Sequence, residues 1–325
     1  MSAMPVICIV GPTASGKSSL ADRVALALGT SVVSVDAMQV YRGMDVGTAK
    51  TPPSERRVPL LMVDVADVGT DFSAKLFQHD VRRCVDDLLA RGLPAVLCGG
   101  TGLYLNAVID EMEFPPGDSD NPRRARYQSY AESNGSLALY ALLCKRDAAS
   151  AALIHPHNVR RVVRALELCD EGGSYAVRHA GLHERMPHYP ALLFGIRMDR
   201  PRLYRRIGRR VDAMFEAGLV EEVQGLLGRG LGEALTARQA IGYKEVMDYL
   251  AGACTLDAAK ERAKMRTRRY AKRQLSWFEH DGRVRWLDYD ELDEDAALQV
   301  VLSSVAPTVS PGGLALGGGE GRGHA

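Results

Sequence analysis

Eight residues close to the start of the chain, Gly11-Pro12-Thr13-Ala14-Ser15-Gly16-Lys17-Ser18, carry the spacing Gly-x-x-x-x-Gly-Lys-Ser. Glycines at these places let the backbone curl until successive N–H groups converge on one anion. The Lys17 ammonium would reach terminal phosphate oxygens, and the Ser18 hydroxyl is placed to hold Mg2+. Two further features could act beside such a ligand. Asp36 ends the apolar run Ser31-Val32-Val33-Ser34-Val35, and Gly99-Gly100-Thr101-Gly102 forms a second glycine-rich turn behind Ala95-Val96-Leu97-Cys98. A carboxylate at the end of a strand opens into the crevice where ligands of open α/β sheets bind. Together they suit removal of a proton from a nucleophile while a diphosphate departs.

These groups need a rigid frame, and the chain supplies one. Val6-Ile7-Cys8-Ile9-Val10 is long enough for one buried strand, and residues 19–28 follow as an amphipathic helix. Residues 31–35, 60–65 and 95–98 read as further strands, with Asp64 near the end of the third and a helix over 73–91 between the last two. Strands alternating with helices at this spacing predict an α/β fold: a P-loop NTPase-like parallel sheet with helices on both faces.

From Glu113 the pattern breaks. Residues 113–190 are expected to form a helical insertion over the mouth of the sheet, with helices near 122–134, 136–145, 148–154 and 158–170. Residues 192–197 then return as a core strand, so the core comprises 1–112 and 191–288 with a helical C-terminal part. Its helices are expected at 201–217, 219–229, 236–250 and 256–279, followed by a short edge strand at 284–287. The tail, 306–325, is rich in glycine and is expected to be disordered.

Composition narrows the class. At 325 residues, with 46% apolar and 25% charged residues, the chain can bury a full core. Its six cysteines are scattered without a Cys-x-x-Cys pair, which fits reduced thiols better than disulfides or a zinc site. No run approaches bilayer length and no basic leader precedes a long apolar segment, so a cytoplasmic protein with no membrane partner is expected. The net charge of +1 hides strong local fields. Residues 197–210 hold seven arginines and one acid, and residues 260–273 hold eight basic residues and one acid. Such clusters in a phosphate-binding protein suit a nucleic-acid backbone.

No apolar strand ends in an Asp-Glu pair suited to nucleotide hydrolysis, and no Asn-Lys-x-Asp guanine reader occurs. Instead the phosphate loop is followed by Val35-Asp36-Ala37-Met38-Gln39-Val40-Tyr41-Arg42-Gly43-Met44-Asp45-Val46-Gly47-Thr48-Ala49-Lys50 and then by Gly99-Gly100-Thr101-Gly102-Leu103-Tyr104. Further on stand Arg161-Val162-Val163-Arg164-Ala165-Leu166-Glu167, Ile241-Gly242-Tyr243-Lys244-Glu245 and Tyr270-Ala271-Lys272-Arg273-Gln274-Leu275-Ser276-Trp277-Phe278. In this order, over about residues 5 to 288, the chain resembles the tRNA dimethylallyltransferases, also called tRNA isopentenylpyrophosphate transferases, the IPP transferase family.

That resemblance implies transfer of a dimethylallyl group from dimethylallyl diphosphate to N6 of the adenosine 3′ of the anticodon, in tRNAs reading codons that begin with U. Gly11 to Ser18 would grip the diphosphate, with Lys17 offsetting leaving-group charge and Ser18 helping to hold Mg2+. Asp36 would be the general base, Thr101 would touch substrate near the reaction centre, and Arg210, with Arg206 one turn before it, would contact diphosphate from the opposite side. The tRNA anticodon stem-loop would meet Asp36, Ala37, Met38 and Gln39, then Arg160, Arg161, Val162, Val163 and Arg164, then Gln239, Ala240, Ile241, Gly242, Tyr243 and Lys244. Lys272, Arg273 and the residues up to Glu279 would join them, with Arg123 and Arg124 contacting backbone from the insertion. Trp277 and Tyr243 could each stack on a base or belong to the core. The family also implies a monomer.

Two positions depart from the family pattern. Ala37 stands where Ser is usual, which puts a hydroxyl contact to tRNA in doubt, and Val58-Pro59-Leu60-Leu61 stands where the proline is often followed by His-His. Three other activities compete: an adenylate isopentenyltransferase of the cytokinin type, a small-molecule kinase, and a non-catalytic RNA-binding ATPase module. The first is disfavoured by the basic C-terminal half, since a mononucleotide acceptor needs no such surface. If the basic helix at 260–273 holds phosphates, affinity for an anticodon stem-loop falls linearly on a log–log plot against salt, with a slope that shrinks as its arginines are removed. A salt-independent affinity in a filter-binding titration would refute that role.

Overall fold

A computed structural model describes residues 4–114, 122–181 and 185–305; the glycine-rich tail expected to be disordered lies outside these residues. The sheet has six parallel strands: β1 (Val6–Val10), β2 (Val32–Val35), β3 (Leu60–Leu61), β4 (Val96–Gly99), β5 (Ala191–Arg197) and β6 (Val284–Asp288). They lie in the order β3-β2-β4-β1-β5-β6. Every residue of β1, β2 and β4 is buried, as a sheet covered on both faces requires. The fold is P-loop NTPase-like, as the alternation predicts.

Register decides what the sheet presents. Val35 of β2 and Val10 of β1 both pair with Gly99 of β4, so these three strands end on one line. The next residues are Gly11, Asp36 and Gly100, which places the phosphate loop, the carboxylate and the second glycine-rich turn side by side. Gly99 makes the alignment possible, because a Cβ there would lie 1.9 Å from the Val35 carbonyl oxygen.

Helices α1 (Lys17–Ala27), α2 (Ala74–Ala90) and α3 (Gly102–Ile109) complete the N-terminal half. The segment between β4 and β5 carries α4 (Pro122–Asn134), α5 (Ser136–Arg146), α6 (Ala148–Ala152), α7 (Val159–Asp170) and α8 (Tyr175–Gly181). After β5 come α9 (Arg200–Glu216), α10 (Leu219–Leu227), α11 (Tyr243–Leu250) and α12 (Leu256–Glu279), and α13 (Glu294–Val305) follows β6. By its internal contacts the chain divides into two units. One holds the chain up to Phe72, Leu76–Ile109 and the chain from Tyr189 onward; the other holds Ser73–Lys75 and Asp110–His188.

Two elements correct the sequence reading. The third strand stops at Leu61 because Met62 and Asp64 take left-handed φ values of 61° and 57°. The chain then pairs with the loop after β2 instead, through Val65 and Ala66 N–H groups on the Val40 carbonyl. Residues 236–250 are not one helix. A single 3-10 turn, Ala237–Gln239, precedes Gly242 at φ 94°, and α11 begins only there, its Glu245 carboxylate accepting the Gly242 N–H. Helices α3, α8 and α13 were not anticipated.

The second unit has its own core, in which Val162 and Val163 of α7 pack with Tyr127, Leu139 and Leu143. Glu167 is fully buried there and accepts from Arg124 Nε at 2.8 Å and from Arg164 at 2.9 Å. A buried carboxylate is tolerable only because two guanidiniums hold it, and its removal strands both. Glu167→Ala should therefore destabilise this unit by roughly 3–5 kcal/mol, read as a lowered denaturant midpoint; an unchanged midpoint would show that the pair contributes nothing.

Candidate active site

The phosphate loop bridges β1 and α1. Gly11, Ala14 and Gly16 have φ values of 146°, 64° and 103°, the curled path that turns N–H groups inward. Ser18 lies exposed in the first turn of α1, where the positive end of the helix favours an anion. Lys17 Nζ donates to the Pro12 carbonyl at 3.2 Å. Burial lowers the Lys17 pKa; Arg210 pushes the same way, while Cys98 and Asp36 oppose it. The Thr13 N–H is not part of the cradle. It donates to Gln274 Oε1 at 2.9 Å, which takes it out of the anion site.

Asp36 begins a turn that locks its own carboxylate. Its Oδ1 accepts from the Met38 N–H at 2.8 Å and the Gln39 N–H at 3.3 Å, and the residue lines the cavity. Gln39 is tied to Ser34 and to the Thr48 carbonyl, and Arg210 also donates to the Thr48 carbonyl, at 3.4 Å. Burial lowers the Arg210 pKa against the opposing pull of Asp36. Arg206 Nε donates to the Ala14 carbonyl at 2.7 Å, so it also braces the loop. Arg209, which the sequence reading passed over, lines a smaller basic recess with Lys17, Ser18, Arg206 and Arg210.

A cavity of about 760 Å3 joins these groups within the first unit. Its wall includes Lys17, Ser18, Asp36, Thr101, Arg210 and Tyr270. Ala37, Met38, Gln39, Gln239, Ala240, Ile241, Gly242 and Arg273 line it as well. Thr101 precedes α3, and its buried Oγ1 makes no well-formed hydrogen bond, although the Tyr270 phenol lies close enough to feel it. Burial and then the charge of Asp36 push the Tyr270 phenol up to about 12, so it stays a neutral donor.

Several residues expected at RNA are placed elsewhere by packing. Val162 and Val163 are core residues of the second unit, and Arg124 and Arg164 grip Glu167. Tyr243 is fully buried and donates to Glu222 at 2.5 Å; burial and that carboxylate raise its pKa. Glu222 was missed altogether: it also accepts the N–H groups of Asp45, Val46 and Gly47, fixing the loop that follows Asp36. Trp277 is 38% exposed, with its indole against Gly102. Arg123, Arg160, Arg161, Lys244 and Lys272 are exposed.

Among the described residues no cluster of His, Cys, Asp or Glu could cage a metal ion, and no helix is long and apolar enough to cross a membrane. The oxygen donors present, Ser18 and Asp36 beside a phosphate cradle, suit Mg2+, which keeps several waters and relies on substrate phosphates.

The profile of the IPP transferase family matches residues 39–281, and an isopentenyl transferase profile matches residues 4–58. The chain belongs to the IPP transferase family. It is similar to the tRNA dimethylallyltransferase of Desulforudis audaxviator, 44% identical over 88% of this chain and 93% of that protein. It also resembles a tRNA isopentenylpyrophosphate transferase of Bacillus halodurans in structure, with TM-score 0.70, 40% identity and coverage of 94% and 96%. A eukaryotic dimethylallyltransferase acting on tRNA superposes with TM-score 0.76 at 27% identity, covering 93% of this chain and 78% of that one.

Cys98, also in the cavity wall, gives a test of the local field. Burial pushes its thiol up to about 11, with Lys17 and Ser18 opposing. Only the thiolate is alkylated, so at pH 8 about one molecule in a thousand is reactive there. Cys98 should resist iodoacetamide at pH 8 while exposed Cys144 is labelled, and its labelling rate should climb about tenfold per pH unit toward 11. Equal labelling of the two at pH 8 in peptide mapping would contradict this environment.

Proposed function

We propose that this chain transfers a dimethylallyl group from dimethylallyl diphosphate to N6 of the adenosine 3′ of the anticodon in tRNAs reading codons that begin with U. Membership of a family whose relatives carry that name supports the reaction. The observation that carries the mechanism is the shared cavity, where Asp36, Thr101 and Arg210 face the phosphate loop.

The N–H groups of the loop and the Lys17 ammonium bind the donor diphosphate, and Arg210 stabilises it from α9. An anion between Lys17 and Arg210 relieves their mutual repulsion and raises the lysine pKa again. Mg2+, held by Ser18 and diphosphate oxygens, would neutralise charge on the leaving group. The target base is taken from its stack into the cavity. As N6 attacks the allylic carbon, the C–N bond forms and the C–O bond to diphosphate breaks. Asp36 Oδ2 accepts the proton that N6 loses. An arylamine proton becomes acidic only once attack has begun, so a carboxylate is a sufficient base. The exposed arginines and lysines of α12, together with Arg160 and Arg161, contact tRNA phosphates.

Asp36→Ala should lower the transfer rate by about 10²–10⁴-fold, the usual worth of a general base, while stem-loop affinity stays close to that of the unaltered protein. The assay combines unmodified anticodon stem-loop, dimethylallyl diphosphate and Mg2+, read by nucleoside mass spectrometry. Undiminished transfer by the variant would eliminate Asp36 as the base. Modification of AMP instead of the stem-loop would identify a cytokinin-type enzyme.

A further inference from the structure

One side chain joins the two glycine-rich loops. Gln274 of α12 is 5% exposed; its Oε1 accepts the Thr13 N–H at 2.9 Å and its Nε2 donates to the Gly100 carbonyl at 3.0 Å. The two backbone groups require that orientation, since one can only donate and the other only accept. The fit is close. A Cβ on Gly100 would lie 2.1 Å from Gln274 Nε2 and 3.0 Å from the Gly11 carbonyl. On the same face of α12, Tyr270 lies one turn earlier, and Trp277 one turn later closes on Gly102, where a Cβ would lie 2.0 Å from the indole. The helix thus lies along the turn that carries Thr101 and reaches the donor loop through a single amide.

We propose that Gln274 is a positioning residue for prenyl transfer: a strut that sets the separation between the phosphate loop and the Thr101 turn. It rests on the reading above, in which the loop holds the diphosphate and Thr101 and Asp36 face the acceptor. Gln274 borders the cavity, but its amide is committed to the Thr13 N–H and the Gly100 carbonyl, so it acts on the reaction through the two loops. The attacking nitrogen and the allylic carbon come from ligands held by different loops, so their approach depends on how those loops are spaced. An error of about 1 Å in such a separation costs on the order of 10²-fold in rate. An apolar side chain of similar length would leave both backbone groups unpaired. Glutamate keeps the acceptor for Thr13, but its other oxygen faces the Gly100 carbonyl and repels it unless protonated.

The experiment compares unaltered protein, Gln274→Ala, Gln274→Glu, Gly100→Ala and the Gly100→Ala/Gln274→Ala double variant in the stem-loop assay, with Asp36→Ala alongside. For Gln274→Ala, kcat should fall about 10²-fold with KM for dimethylallyl diphosphate within about twofold. Gln274→Glu should recover relative to unaltered protein as pH falls, because the protonated carboxyl donates to Gly100. Gly100→Ala should be at least as impaired as Gln274→Ala, because its Cβ meets both Gln274 Nε2 and the Gly11 carbonyl, and the double variant should lose less than the two losses combined, since both disrupt the Gln274 contact. A purely structural role predicts otherwise: reduced melting temperature, unaltered kcat per folded molecule, a pH-independent ratio for Gln274→Glu and additive losses. Any of the last three overturns the strut. Undiminished transfer by Asp36→Ala would instead overturn the underlying mechanism and leave the Gln274 comparison readable.

Discussion

The site depends on a parallel register. Because Val10, Gly99 and Val35 lie level across β1, β4 and β2, the next residue of each strand emerges at one edge of the sheet. Neighbouring strands are about 4.8 Å apart, so the phosphate loop after β1 and the Asp36 carboxylate after β2 stand about two strand spacings from each other. In the proposed reaction that distance accommodates a donor diphosphate on one side and an attacking amine on the other. A one-residue slip would turn these side chains to the opposite face and bury the carboxylate. The missing side chain at Gly99 guards against the slip by admitting the Val35 carbonyl.

Buried charge supports the loop that follows. Lys50 is 7% exposed, and its Nζ donates to the Tyr41 carbonyl at 3.0 Å and to Asp45 and Asp64 at 2.6 Å each. Glu222 closes the other side on three successive N–H groups, and Gly47 leaves room for the Tyr243 ring against it. A loop with no regular structure is thereby tied down on both sides, as the support of a residue expected to act as a base requires.

The basic clusters divide by partner. Lys264 pairs with Asp212 and Glu261, Arg266 with Glu245, and Arg202 with Asp290. Lys264 on Asp212, Arg268 over Tyr204 and Lys260 over Phe215 set α9 and α12 antiparallel, with buried Ala259, Ala263 and Ala271 on the inner face of α12. Arg262 and Lys272 remain exposed on its outer face, while exposed Arg269 also lines the cavity. A charge run on one helix therefore serves internal packing and an external field at once.

The sequence alone determined the α/β class, the phosphate loop, the strand-end aspartate and the family, because each is a local pattern: an apolar run, a fixed spacing, a turn that glycine permits. It misjudged the third strand and the helix over 236–250, where left-handed backbone at Met62, Asp64 and Gly242 overrode an apolar period. Only tertiary structure decided which polar residues are structural. Glu167, Glu222 and Gln274 carry no sequence signal of a structural role, yet each is an acceptor for groups far away in sequence. Val162, Val163 and Tyr243 stand in motifs and yet pack inside. A hydrogen bond between residues 13 and 274 leaves no periodic trace in either segment. Its existence depends on where the folded sheet and the last long helix bring two backbones together.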